Sequence, residues 1–360
     1  MIAAGGTGGH LFPAEALASE LLQRGHRIAL MTDVRSSGLA SPVFAQGARF
    51  VLAGAGIAGR GPLRALWGAL TLMLGTLQAR GILARERTAA IVCFGGYPSV
   101  PPVLAAQSLF RRPVVVLHEQ NGAAGRANRM LSRFADLLAL SHERTTRVPE
   151  GVAREVTGNP VRPAIMALAG NTYTAPSGEI RLLVLGGSLG ARVFSDVVPE
   201  ALAALPEVLR ARLRVTQQCR AEDLARVQAA YERSGISAVL ASFFGDVAAR
   251  LEAAHLVIAR AGASTVAELS VAGRPAILVP LPDAIDDHQT ANAKALEGAW
   301  VLRQKDLTAA SLGALLTELF TTPERLVEAA RLAAVCGRMD AAARLADAVE
   351  RLAAAKERTP

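Results

Sequence analysis

Two glycine-rich loops are the first residues in the chain with a spacing that could do chemistry: Gly5-Gly6-Thr7-Gly8-Gly9-His10 and Gly186-Gly187-Ser188-Leu189-Gly190-Ala191-Arg192. Each follows a short apolar run and precedes a helical pattern. In that context glycine lets the backbone turn tightly and brings N–H groups up to an anion, and the helix N-terminus adds positive potential. A matched pair could hold two phosphorylated groups. Neither is a Walker A loop, because no Lys-Ser/Thr follows the glycines, and neither fits G-x-G-x-x-G, so a kinase and a simple dehydrogenase are disfavoured. Four more polar clusters follow apolar runs: Gly95-Gly96-Tyr97-Pro98-Ser99, His118-Glu119-Gln120-Asn121, residues 261–268 (AGASTVAE) and residues 286–292 (DDHQTAN). Helix capping explains any one of them, Ser264 included. Six clusters at six strand ends exceed what capping alone produces.

The elements that must position these residues read as parallel α/β. Apolar, β-branched runs at 1–4, 28–31, 90–94, 113–117 and 137–140, then 180–185, 213–217, 256–259 and 276–279, alternate with longer helical patterns. The two halves echo one another, as one doubly wound unit used twice, although four residues before the first glycine make a short opening strand. In such sheets ligands bind beyond the carboxyl ends of the strands, where all six clusters fall. Breakers at 158–163 (GNPVRP) and 170–178 (GNTYTAPSG) place a boundary near residue 163. The expected domains are therefore 1–163 and 164–360. The Ala-, Leu- and Arg-rich segment 323–356 reads as one or two helices, the last a candidate to pack back on the first domain.

Composition bounds the partners. At roughly 150 residues per domain, 360 residues make about two domains, and 51% hydrophobic with 19% charged residues is ample for buried cores. Lys and Arg number 39 against 31 Asp and Glu, a formal charge of +8. Residues 1–160 carry 17 basic and 9 acidic side chains, so the first half holds the whole excess and the second is balanced. Nucleic acid is not the partner expected from that charge, because aromatics are only 4%, no nucleic-acid motif occurs and no basic tail is present. Cys93, Cys219 and Cys336 form no CxxC pair, which argues against a disulfide framework or a Cys-based zinc site and for a reducing compartment. No signal peptide is expected, and the charge-free stretch 65–79 is shorter than the ~20 residues of a membrane span. A soluble or peripheral protein is expected.

Taken together, GGTGGHLFPA (5–14), FGGYPS (94–99), LHEQNGAAGRANR (117–129), GNPVR (158–162), LGGSLGAR (185–192), RAGASTVAEL (260–269) and DDHQTANA (286–293) resemble the MurG family. These are the UDP-N-acetylglucosamine:undecaprenyl-pyrophosphoryl-MurNAc-pentapeptide N-acetylglucosaminyltransferases of bacterial peptidoglycan synthesis. The motifs occur in family order across most of the chain. The resemblance implies a GT-B fold, two Rossmann-like domains facing across a cleft. It also implies inverting transfer of GlcNAc from UDP-GlcNAc to the 4-hydroxyl of MurNAc on lipid I, giving lipid II. By the same resemblance the lipid acceptor belongs to the first domain and the nucleotide sugar mainly to the second. Glu268 would hold the ribose hydroxyls and Phe244 would lie near the uracil. Ser188 and its loop would meet the diphosphate with Arg162, Gln289 would read GlcNAc hydroxyls, and Thr7, Gly8, Gly9 and Asn121 would approach the sugar. One departure stands out: the family commonly has Gln where this chain has Leu189.

Inverting transfer needs a base for the acceptor hydroxyl and stabilisation of the departing diphosphate. His10 is the expected base, with a loop-orienting role as the simpler alternative, and Glu119 is its rival. Loop N–H groups, a helix dipole and Arg162 serve the diphosphate, so neither a metal nor another cofactor is demanded, and no Asp-x-Asp motif occurs. Gly95, Gly96 and Tyr97 suit the acceptor's diphosphate, with Asn128 a further acceptor contact. Leu66, Trp67, Leu70, Met73 and Leu74 recur at helical spacing beside Arg60, Arg64 and Arg80, the layout of an interfacial segment that meets anionic lipid. Gly68 and Gly75 count against an uninterrupted helix there, and a stripe facing the core is an equal alternative. The expected setting is the cytoplasmic face of the bacterial inner membrane, with other cell-wall synthesis proteins as further partners. Another GT-B UDP-sugar transferase, an epimerase and a non-catalytic nucleotide-sugar-binding protein are the competing readings.

Overall fold

The computed structural model describes residues 1–6, 8–36, 41–53, 62–187, 190–282, 284 and 287–358, without the side chains of residues 35 and 62–65. The chain forms two units, residues 1–163 with 339–360, and residues 164–338. In the first, the strands are β1 (Ile2–Ala3), β2 (Ala29–Thr32), β3 (Ala48–Val51), β4 (Ala90–Cys93), β5 (Val114–Glu119), β6 (Leu137–Leu140) and β7 (Arg154–Val156). They pair in parallel in the order β3-β2-β1-β4-β5-β6-β7. In the second unit, β8 (Ile180–Leu185), β9 (Leu213–Gln218), β10 (Ser237–Ala241), β11 (Leu256–Ala259), β12 (Ala276–Leu278) and β13 (Trp300–Val301) pair in parallel in the order β10-β9-β8-β11-β12-β13. Counted from each unit's own first strand, both sheets run 3-2-1-4-5-6, the doubly wound order of a dinucleotide-binding fold, and the first adds a seventh strand beyond the sixth. The opening strand, short as it is, lies inside its sheet between β2 and β4.

The helices are α1 (Gly8–Gln23), α2 (Pro62–Arg85), α3 (Val100–Gln107), α4 (Arg126–Leu131), α5 (Pro163–Met166), α6 (Arg192–Ala203), α7 (Glu207–Arg210), α8 (Leu224–Arg233), α9 (Val247–Ala253), α10 (Ala263–Ala272), α11 (His288–Lys294), α12 (Ala309–Thr321), α13 (Glu324–Val335) and α14 (Ala341–Glu357). Central strands such as β5 are buried on both faces, which is why they read as unbroken apolar runs. β3, β7, β10 and β13, which no such run marks, are the four sheet edges, and all carry exposed or half-buried positions.

The segment read as one or two terminal helices is two, and they part company. α13 belongs to the second unit, which ends at Arg338, whereas α14 belongs to the first. Leu345, Ala346, Ala348 and Val349 of α14 are buried with Ile2, Leu17, Val92 and Val114 in one core. Arg24 at the end of α1 reaches Asp347 at 2.6 Å and Glu350 at 2.8 Å, and His26 reaches Glu350 at 2.7 Å.

Candidate functional site

In the first unit the loops at the carboxyl ends of β1, β4 and β5 are built around one another. Gly6 has a positive φ, and its N–H donates to Ser36 Oγ at 2.5 Å. A Cβ on Gly5 would lie 2.9 Å from Thr32 Oγ1 and 3.1 Å from Pro98, so only glycine fits between β2 and the loop after β4. His10 lies in the first turn of α1, and its Nδ1 is 3.1 Å from the carbonyl oxygen of Gly5. A carbonyl only accepts, so Nδ1 carries the proton and Nε2 the lone pair, the tautomer a general base requires. Gly96 (φ +69) lies against this ring, where a Cβ would come within 3.0 Å of Cε1.

Glu119 is buried at the end of β5. Its Oε1 accepts from the backbone N–H and the side-chain Nδ2 of Asn121, both at 3.0 Å, and its Oε2 from Gly125 N and Asn128 Nδ2, both at 2.8 Å. The carboxylate thus shapes residues 119–128 and gives them one charged centre. Asn128 also donates to the carbonyl of His118 at 3.1 Å and lies against Gly95, with its buried Oδ1 lacking a hydrogen-bond partner among the described residues. Fully buried His118 donates from Nε2 to the Gly158 carbonyl at 2.9 Å and accepts at Nδ1 from Gln120. Burial holds its pKa down at about 4, so it stays neutral at physiological pH. Arg162 stacks over the ring of Phe12 at 4.2 Å, and that ring also touches Gly8.

In the second unit Phe244, Glu268 and Gln289 follow the carboxyl ends of β10, β11 and β12. Gln218, which sequence reasoning missed, joins the ends of β8 and β10. Its Oε1 accepts from Gly186 N, and its Nε2 donates to the carbonyls of Gly187 and Ser242, each at 3.1 Å. Arg220 was missed too. A Cβ on Gly190 would meet its Cγ at 2.9 Å, and its buried Nε has no hydrogen-bond partner among the described residues. The polar run Gln217-Gln218-Cys219-Arg220 closing an apolar strand was the available signal. Phe244 is 6% exposed with Arg250 stacked on its ring at 4.1 Å, whereas Phe243 is 72% exposed. The Phe244 ring is therefore turned inward and the Phe243 ring outward. Glu268 lies one helical turn after Ser264 on α10. Arg260 ties this edge together, donating to the carbonyls of Val279 and Pro280 and to Gln304 Oε1. Gln289 accepts from Leu281 N at 3.0 Å, and Asn292 donates to the carbonyl of Ala261. Thr7, Ser188, Leu189 and Arg60 lie outside the described residues, as does the side chain of Arg64. Among the described residues no three His, Cys, Asp or Glu side chains gather as a metal-holding group.

α2 runs unbroken through Gly68, Gly75 and Gly81, of which Gly81 is exposed and the other two are buried. Gly68 and Gly75 face inward: a Cβ on Gly75 would stand 2.2 Å from the carbonyl oxygen of Ala53. The outer face carries Leu66, Trp67, Leu70, Met73, Leu74 and Leu77, all more than half exposed, together with exposed Arg80. Phe110 is fully exposed beside Arg111, just past α3, which packs against α2. Among the described residues no helix is long and apolar enough to cross a membrane.

Comparison with known proteins places this geometry. Residues 1–139 match the glycosyltransferase family 28 N-terminal domain and residues 181–352 its C-terminal domain. A protein of Granulibacter bethesdensis described as "UDP-N-acetylglucosamine--N-acetylmuramyl-(pentapeptide) pyrophosphoryl-undecaprenol N-acetylglucosamine transferase" is 60% identical over 96% of this chain and 91% of its own length. A protein of Gluconobacter oxydans with the same description is 53% identical over 96% of both. Among solved structures, MurG of Acinetobacter baumannii matches with a TM-score of 0.77 and 29% identity over 98% of each chain.

Proposed function

Because this chain belongs to glycosyltransferase family 28, and within it to the MurG family of N-acetylglucosamine transferases, we propose that it transfers N-acetylglucosamine from UDP-N-acetylglucosamine to lipid I. The acceptor is the 4-hydroxyl of the N-acetylmuramyl group and the product is lipid II. The enzyme is a hexosyltransferase of the α/β GT-B class. His10 Nε2 takes the proton as the acceptor oxygen bonds to the sugar C1 and the bond from C1 to the diphosphate oxygen breaks, with inversion. The observation that supports this most is the contact of Nδ1 with the Gly5 carbonyl, which leaves the lone pair on Nε2. Glu119, with four donors on its carboxylate, is a positioning residue for the 119–128 loop rather than the base.

Gly95, Gly96, Tyr97 and Asn128 receive the acceptor's diphosphate. Thr7, Gly8, Gly9 and Asn121 approach the transferred sugar. On the donor side Glu268 holds the ribose, the backbone around Phe244 reads the uracil edge, and Gln289 reads sugar hydroxyls. Ser188 and the N–H groups of its loop hold the departing diphosphate with Arg162. Arg220 joins them beside Gly190, a cation at the loop where this chain has Leu189 for the family's usual Gln. These groups stabilise the leaving charge without a metal. The outer face of α2, with Arg60, Arg64 and Arg80, seats the enzyme on the anionic cytoplasmic leaflet, where the undecaprenyl chain of the acceptor lies.

The test is conversion of a lipid I analogue by UDP-[14C]GlcNAc in EDTA-containing buffer. Labelled lipid II is the expected product. Binding of UDP-GlcNAc without transfer would overturn the reaction, and transfer only after metal is restored would overturn the metal-free account.

A further inference from the structure

A cavity of about 680 Å³ opens in the second unit at the other end of its sheet from the donor-side residues. Its walls come from chain that precedes strands: 171–179 before β8, 252–255 before β11 and Arg274 before β12. The length of a six-residue strand, about 20 Å, separates that end of β8 from the Gly186 loop.

Arg274 is 4% exposed, yet its Nε has no hydrogen-bond partner among the described residues. Its stacking neighbour is the Tyr173 ring at 5.8 Å. Burial pulls the guanidinium pKa below its ordinary value, and Tyr173 and Glu252 oppose this only through space. Glu252 meanwhile accepts from Asn171 Nδ2 at 3.0 Å. A second arrangement points the same way. His255 is buried, and the backbone N–H of Arg181 donates to its Nδ1 at 3.0 Å. The neutral ring then carries its proton on Nε2, and that N–H confronts the Arg181 Nη2 donor at 3.0 Å. Two donors facing one another are satisfied by an oxyanion that accepts from both. Guanidinium forks match phosphate and carboxylate geometry.

We infer that this cavity binds a small molecule through a phosphate or carboxylate group, held by Arg274, Arg181 and His255, with the rest of the molecule against Asn171, Thr174 and Ser177. Its volume suits a metabolite rather than a bare ion. The site is separate from the donor subsite.

Isothermal titration of the full chain with inorganic phosphate and with citrate, each with UDP saturating, tests the site. Saturable binding of at least one probe is expected, and which one binds distinguishes phosphate from carboxylate. Arg274→Gln should weaken that binding about tenfold or more while leaving UDP affinity unchanged. The double variant Thr174→Val/Ser177→Ala changes exposed side chains only, so it reports even where Arg274→Gln fails to fold, and it should bind a few-fold more weakly. Absence of saturable binding by either probe, or affinity unaltered in the folded variants, overturns the inference.

Discussion

His10 and Glu119 are separable because the proposed role of one is on a proton and that of the other on a loop. His10→Gln should lower kcat by about 10²–10⁴ while UDP affinity and the urea midpoint stay put; near-normal turnover would remove it as the base. Glu119→Gln should destabilise by about 2–4 kcal/mol in urea titrations, because buried donors of Asn121, Gly125 and Asn128 lose a charged acceptor. A Glu119→Gln protein of unchanged stability would count against the positioning role. Arg220→Gln should raise KM for UDP-GlcNAc about tenfold and leave the acceptor KM alone, as expected for one charge-assisted contact to a diphosphate. His118 sets a pH limit. Its folded pKa of about 4 lies below its ordinary 6.5, so the unfolded chain binds the extra proton between those values. Stability present above pH 6.5 is lost as pH falls through that window, by roughly 3 kcal/mol at most. His118→Gln should flatten the dependence of melting temperature on pH between 7 and 5.

At the scale of elements, α2 shows how one helix serves two faces. Its inward glycines allow close packing, and Gly75→Leu should cost about 1–3 kcal/mol because the new side chain meets the Ala53 carbonyl. Its outer face makes little contribution to folding, so Leu70→Glu/Leu74→Glu should leave the melting temperature within a degree or two and abolish flotation with anionic vesicles. Flotation as strong as wild type would end the membrane assignment. The helix was legible from spacing, but which face each residue takes was not, since an apolar stripe suits a core and a lipid surface equally. Central strands such as 114–119 were legible because burial on both faces demands unbroken apolar residues. The edges, Ala48–Val51 and Ser237–Ala241 among them, were not, because one side of each meets solvent or a single neighbour.

For the whole molecule, α14 closes the first unit from the far end of the chain. Truncation after Arg338 removes Leu345, Ala346 and Val349 from the core around β1 and exposes their partners on α1. The expected result is a fall in melting temperature of ten degrees or more, or insoluble protein, with the second unit keeping its own transition in calorimetry. The +8 charge, all of it from residues 1–160, belongs to the unit that also carries the α2 surface.

Local order was enough for the sequence to determine much of this protein. Apolar runs marked central strands, glycines marked the turns after them, and the motifs at strand ends named the family. Tertiary structure alone decided the rest: that Glu119 spends its charge on four neighbouring donors, that the Phe244 ring turns inward, that Arg220 lies under Gly190, and that the last helix belongs to the first unit. The physical reason is common to all four. Each depends on which distant groups compete for the same hydrogen bond or the same buried volume, and that competition exists only once the chain has folded.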